Sequence, residues 1–342
     1  MKNFYTKRYI PKPSRREYFT IFLLITEIII FSIVSKYFLT FKNLETVLRN
    51  STDLAVVSIG MTMVILMGGI DLSVGSALGV VAIFVGWMLQ ANLNPILIGI
   101  VAIFSGTVIG AINGLLITKT RIPAIIATLG TSNILRALIF GMMGGNWLTG
   151  LPQVFTTLTK GILLGIPIPV FILTVFYVVF WFFLTYTSIG RHIYAVGNSS
   201  EASLLSGIHI DRTRILAFVL LGSLVGFSAL IYVGRLASVE ITVGLYLPIS
   251  SIAAVIIGGT SITGGKGSVV GTLAGVLFIA VLKNGIVLLG ISSLWERAVV
   301  GMLIIVSVLV DLIFSRRAEK MRREQLFFQR TQFLKQNIQE RT

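Results

Sequence analysis

Two glycines interrupt an apolar run in Gly68-Gly69-Ile70-Asp71-Leu72-Ser73-Val74-Gly75-Ser76, and Asp71 stands at the interruption. A carboxyl beside a broken helix can hold a cation or a proton inside a membrane. It can also accept hydrogen bonds from backbone N–H groups that the break leaves without partners, while Ser73 caps the helix that follows. The helix-break and cap role is the expectation for Gly68, Gly69, Asp71 and Ser73. A second polar group, Thr128, Ser132, Asn133 and Arg136, interrupts another apolar stretch. Thr128, Ser132 and Arg136 recur at helical spacing, and a helix with such a face borders a water-filled passage or a polar neighbour. These four are the candidate pathway lining. Glu27, Asn113, Lys283 and Asn284 are the other polar residues inside apolar stretches.

A search for catalytic constellations returns nothing. The chain has no cysteine and only two histidines, His192 and His209. Disulfides, thiolate metal sites and cysteine nucleophiles are therefore excluded, and neither histidine belongs to an H-E-x-x-H pattern. The glycine-rich stretch Gly258 to Ser268 invites comparison with a phosphate-binding loop. That loop needs Gly, four residues, Gly, Lys and then Ser or Thr. Here Gly265 intervenes after Gly264, and Gly267 follows Lys266. The expectation is no metal, no cofactor and no nucleotide site on this chain.

The elements carrying these residues are membrane spans. Of 342 residues, 55% are hydrophobic and 12% charged, and the mean hydropathy is +0.93. Soluble chains carry about twice that share of charge. A span needs about 20 mainly apolar residues. Ten stretches qualify, at 18–40, 51–70, 72–90, 95–117, 123–143, 166–186, 213–235, 249–263, 268–290 and 295–313. The eighth is short and the fifth polar, so the range is eight to ten. The fold expected is all-α and polytopic, with about ten transmembrane helices. The first run is too long for a signal-peptide core and lacks a cleavage site after it, so it reads as a retained span.

The net charge is +15, and two thirds of it lies in two tails, at residues 1–17 and 314–342. Such tails stay on the cytoplasmic side by the positive-inside rule, and a nucleic-acid partner is not implied. Ten spans with both termini cytoplasmic place 20 Lys/Arg inside and six outside. The organisation expected is a basic N-tail (1–17), one transmembrane domain (18–313) and a basic C-tail (314–342). Within the domain, an outer connection (144–165) and a polar inner connection (187–212) are long enough to carry function.

Glycines space themselves every four residues at Gly106, Gly110 and Gly114, at Gly267, Gly271 and Gly275, and at Gly75 and Gly79. Such stripes let helices approach closely in lipid. Residues 64–76 and 255–268 also echo each other, each an apolar stretch, a Gly-Gly break, a polar turn and a Gly-Ser before a new span.

G-R-H-I-Y-A-V-G-N (190–198) followed by E-A-S-L-L-S-G-I (201–208) resembles the cytoplasmic loop of sugar-type ABC importer permeases, the group with ribose, xylose, rhamnose and autoinducer-2 permeases. The resemblance extends through M-G-G-I-D-L-S-V-G-S (67–76), N-G-L-L-I (113–117), I-P-A-I-I-A-T-L-G-T (122–131) and the glycine-rich 258–268, over roughly residues 45–312. It implies a permease subunit of an ATP-driven importer, with no enzymatic activity of its own. The implied partners are cytoplasmic ABC ATPase subunits, a second permease (the same or a sister chain), a periplasmic solute-binding protein and the bilayer of the bacterial inner membrane. It also implies a coupling segment that docks on the ATPase, here Asn198, Ser200, Glu201, Ala202, Leu205 and Gly207.

G-G-N-W-L-T-G-L-P (144–152) resembles the autoinducer-2 and rhamnose permeases more than the ribose permeases, so the expected solute is autoinducer-2 or a monosaccharide such as rhamnose or ribose. The competing readings are an ion-coupled secondary transporter, which needs carboxylates near the bilayer midplane, a membrane enzyme and a channel.

Overall fold

The computed structural model describes residues 15–163 and 165–292, and beyond them residues 295, 298–302, 305, 306 and 309. Most of the expected tenth span and almost all of both tails lie outside these residues. Helices cover all nine of the other expected spans. They are α1 (Arg15–Val34), α2 (Phe41–Leu66), α3 (Val74–Gln90), α4 (Pro95–Thr120), α5 (Ala124–Met143), α7 (Ile168–Tyr186), α10 (Ile210–Leu236), α11 (Leu247–Ile257) and α12 (Val269–Leu288). Six of these, α1, α4, α5, α7, α10 and α12, are long and apolar enough to cross a membrane.

Three departures from the expectation have physical causes. Helix α2 begins ten residues earlier than expected, because Lys42, Glu45 and Arg49 are excluded from an apolar window yet continue the helix. Glu45 and Arg49 form an ion pair one helical turn apart. Helix α11 is only 11 residues long, about 16 Å at 1.5 Å per residue, which is half a bilayer core. Ahead of it, Val239 bridges to Leu148 and residues 241–246 are turns. The outer connection is also not wholly helical. It holds a short α6 (Thr156–Lys160) and a two-residue hairpin, β1 (Ile162–Leu163) with β2 (Ile166–Pro167). The all-α expectation takes that one exception.

Helix α2 is the axis of the bundle. Every residue from Ser51 to Leu66 is buried, and α2 packs against α10, α12, α11 and α7. A helix apolar on all sides belongs inside a bundle. Helices α1, α4, α5 and α7 instead turn apolar residues such as Ile33, Ile96, Phe104, Ile126 and Phe182 outward, as lipid-facing helices do. The α4–α10 pair is built on the first glycine stripe. A Cβ on Gly106 would stand 2.7 Å from the backbone N of Gly226, so any side chain would push the helices apart. Gly271 and Gly275 seat α12 in the same way on Gly258 and Ala254 of the α11 end. Gly75 meets Gly244, and Gly79 meets Ile139 and Val243.

Candidate functional site

The chain turns out of α2 at Gly68, whose φ of +74° suits glycine. It runs extended to Ser73 and re-enters helix as α3. Both Ser73 N and Ser73 Oγ donate to Asp71 Oδ1 at 2.7 Å. Asn113 of α4 donates to Ser73 Oγ at 2.7 Å and reaches Asp71 Oδ2 at 3.4 Å. Asp71 and Asn113 are both buried. This network belongs to a break packed in protein on one side and bordering a cavity on the other, the settings in which irregular backbone is tolerated at membrane depth.

The polar face of α5 serves the same end. Thr128 Oγ1 accepts from Leu72 N at 3.1 Å and lies 3.2 Å from the Ile70 carbonyl, to which it can donate. Ser132 and Ser76 hydroxyls pair at 3.1 Å. Arg136 donates to the carbonyls of Ile241 (3.1 Å) and Val243 (3.0 Å), inside the irregular segment ahead of α11. Asn133 is exposed on the opposite side. None of these four lines either of the two large cavities of the bundle. Two of them, Thr128 and Arg136, hold irregular backbone in place, and Ser132 bonds to a side chain of α3.

The inner connection is two helices, α8 (Ser188–Asn198) and α9 (Ser200–Leu205). Helix α8 buries Gly190, Ile193 and Val196 along one face. Its end reaches both glycine breaks, for Gly197 leaves no room for a side chain beside Leu66 and Gly265. The two echoing segments also touch each other, with Gly265 N donating to the Leu66 carbonyl at 2.8 Å. Tyr194 OH donates to the Gly267 carbonyl at 2.9 Å. Helix α9 projects away from this junction. Ser199 caps it, accepting from Ala202 N at 3.2 Å, and Gly207 ends it at φ +80°. Asn198, Ser200, Glu201 and Ala202 are exposed, and Leu205 is 90% exposed.

Two cavities flank the buried stretch of α2. One, about 590 Å³, opens at the α2 C-terminal end beside Gly68, Gly69, Arg121, Ser200 and Arg214. The other, about 660 Å³, opens at the α2 N-terminal end, between α2, α10, α12 and residues 240–247. Their linings share no residue. Sequence reasoning missed the second cavity altogether. Asp53 and Arg235 pair there at 2.7 Å, and the only signal was the polar run Asn50-Ser51-Thr52-Asp53. Among the described residues, no group of acidic residues and histidines is placed to hold a metal.

Apolar helices with outward hydrophobic faces, glycine-packed contacts and broken helices between two polar cavities define a multi-pass transport protein of the cell membrane. The family described as branched-chain amino acid transport system / permease component matches residues 43–308, and the chain belongs to that family. It is 38% identical over 292 residues to the ribose import permease protein RbsC of Haemophilus influenzae, covering 84% of this chain and 90% of the relative. It is 40% identical over 286 residues to RbsC of Bacillus subtilis, covering 83% and 89%. It is 32% identical over 275 residues to the autoinducer 2 import system permease protein LsrC of an Enterobacter, covering 80% of each. No solved structure matches. The chain is a transmembrane permease subunit of an ATP-driven importer.

Proposed function

We propose that this permease passes a neutral monosaccharide, ribose foremost, into the cytoplasm, powered by an ATPase on separate chains. The observation that carries the solute is identity of 37–40% to ribose permeases over more than four fifths of the chain. The nine-residue likeness of residues 144–152 to autoinducer-2 permeases favours that solute as the second reading.

The lysine and arginine bias puts the α2 N-terminal end outside and α8 and α9 inside. Both termini then lie in the cytoplasm and a tenth span closes the domain at 18–313, between tails 1–17 and 314–342. A solute-binding protein delivers sugar to the outer end, and a second permease chain completes the passage. Segment 198–207 is the ATPase contact. Its support is a short capped helix standing clear of the bundle, with Leu204 and Leu205 bare and Glu201 beside them. Exposed apolar residues on a cytoplasmic projection suit a protein partner.

The test is co-purification of the chain with its ATPase. Glu201→Arg together with Leu205→Asp is expected to abolish association and leave membrane insertion intact. Normal association in that variant overturns the coupling assignment.

A further inference from the structure

The outer cavity gathers four charged side chains from four elements: Asp53 (α2), Arg235 (α10), Glu240 (the segment before α11) and Lys283 (α12). Their formal charges cancel. Asp53 and Arg235 are paired and largely shielded, with side-chain exposures of 13% and 20%. Arg235 also reaches the Asn50 carbonyl at 3.2 Å and Asn50 Oδ1 at 3.3 Å. Its Nε is buried with no acceptor among the described residues. Glu240 accepts from Thr242 at 3.3 Å, a long bond that leaves most of the acceptor sites of a carboxylate unused. Tyr232 and Tyr246 supply aromatic surface to the same wall.

A cavity of about 660 Å³ falls within the range of small-molecule sites. Its chemistry selects among small molecules. A sugar acid or an amine would meet a field with no net attraction. A neutral polyol can use each group separately, giving hydroxyl protons to the carboxylates and accepting from the guanidinium, which are strong charge-assisted bonds. The partial shielding of the pair also separates these residues from ordinary solvated helix-end charges, which gain little from each other.

We propose that this cavity is the entry site of the permease for a neutral monosaccharide, with Asp53, Arg235, Glu240 and Thr242 taking its hydroxyl groups. The proposal deepens the sugar-import reading and rests on it.

The test uses the full importer, reconstituted with its ATPase and binding protein. Glu240→Gln and Thr242→Val are the informative variants, because neither residue bonds across elements. Ribose uptake is expected to fall about tenfold, as loss of one good hydrogen bond to a charged group gives. Binding-protein-stimulated ATP hydrolysis is expected to stay within about twofold of the starting protein, since the docking surface and the coupling helix are untouched. Unchanged uptake overturns the proposal. So does loss of uptake and stimulation together, which would make these residues part of the binding-protein contact.

A second measurement reads the cavity directly. The chain has no cysteine, so Thr242→Cys is a sole thiol. Its labelling by a membrane-impermeant thiol reagent should slow several-fold under saturating ribose and stay unchanged under a sugar acid. Equal labelling with and without any neutral polyol overturns the site. A wild-type complex that imports no ribose overturns the proposed solute instead. The labelling assay across neutral polyols still decides the cavity in that case.

Discussion

The break at residues 67–73 and the outer cavity sit near opposite ends of α2, and both are rich in polar side chains. They use them in opposite ways. At the break, Asp71, Ser73 and Thr128 spend their hydrogen bonds on one another and on the backbone, and Asn113 donates to Ser73 while its Oδ1 is buried with no donor among the described residues. Asp71 is 2% exposed, and its network leaves little for a solute. At the cavity, Glu240, Thr242 and Arg235 line open space, and Glu240 takes only one long side-chain hydrogen bond, from Thr242. On the proposal made above, the conspicuous motif is scaffold and the dispersed charges are the working surface. In a membrane, polarity alone does not separate the two, because unsatisfied backbone must be served before any ligand is.

Substitutions in the two regions should differ accordingly, with stability effects running from large to small. Asp71→Ala leaves the Ser73 N–H and hydroxyl without their acceptor in a buried site, at a cost of about 3 kcal/mol. The detergent-solubilised protein should melt markedly lower, while Asp71→Asn, which retains an acceptor, should lose less. If Asp71→Asn keeps full stability but abolishes uptake, Asp71 does chemistry and the contrast between the regions fails. Gly110→Leu forces a side chain into the Phe218 backbone across the α4–α10 contact, an overpacking cost of about 2 kcal/mol. The yield of folded protein after extraction reports it. Arg136→Gln loses two charged hydrogen bonds to the Ile241 and Val243 carbonyls, about 1.5 kcal/mol. Because those carbonyls flank Thr242, ribose uptake should fall with stability. An unaltered melting temperature with lost uptake would move Arg136 to the pathway. Glu240→Gln should change stability by no more than about 0.5 kcal/mol, with its effect confined to transport.

The sequence made the break legible because its signal is local. Two glycines, an acid and a serine within six residues state a helix end and a helix start. The span pattern was legible for the same reason, except where a helix was half a span long. Residues 241–246 carry no apolar periodicity, so nothing announced that they form turns held by Arg136. Thr128, Ser132 and Arg136 were read as one helix face, but what that face touches depends on residues about 55 to 110 positions away. The outer cavity was illegible in principle from one chain. Asp53, Arg235 and Lys283 line one cavity across more than 180 residues of sequence, and no one of them announces the others. Segment 198–207 stood out through its resemblance to known permeases, and the fold adds that it is rooted where the two echoing breaks meet.

The most direct test of the account is the energy source for uptake. Proteoliposomes holding the permease, its ATPase and its binding protein should accumulate labelled ribose when ATP is supplied to the cytoplasmic face. Accumulation should stop when ATP is replaced by a non-hydrolysable analogue, and an imposed proton or sodium gradient should not restore it. Accumulation by this chain alone, driven by an ion gradient without ATP, would contradict the account.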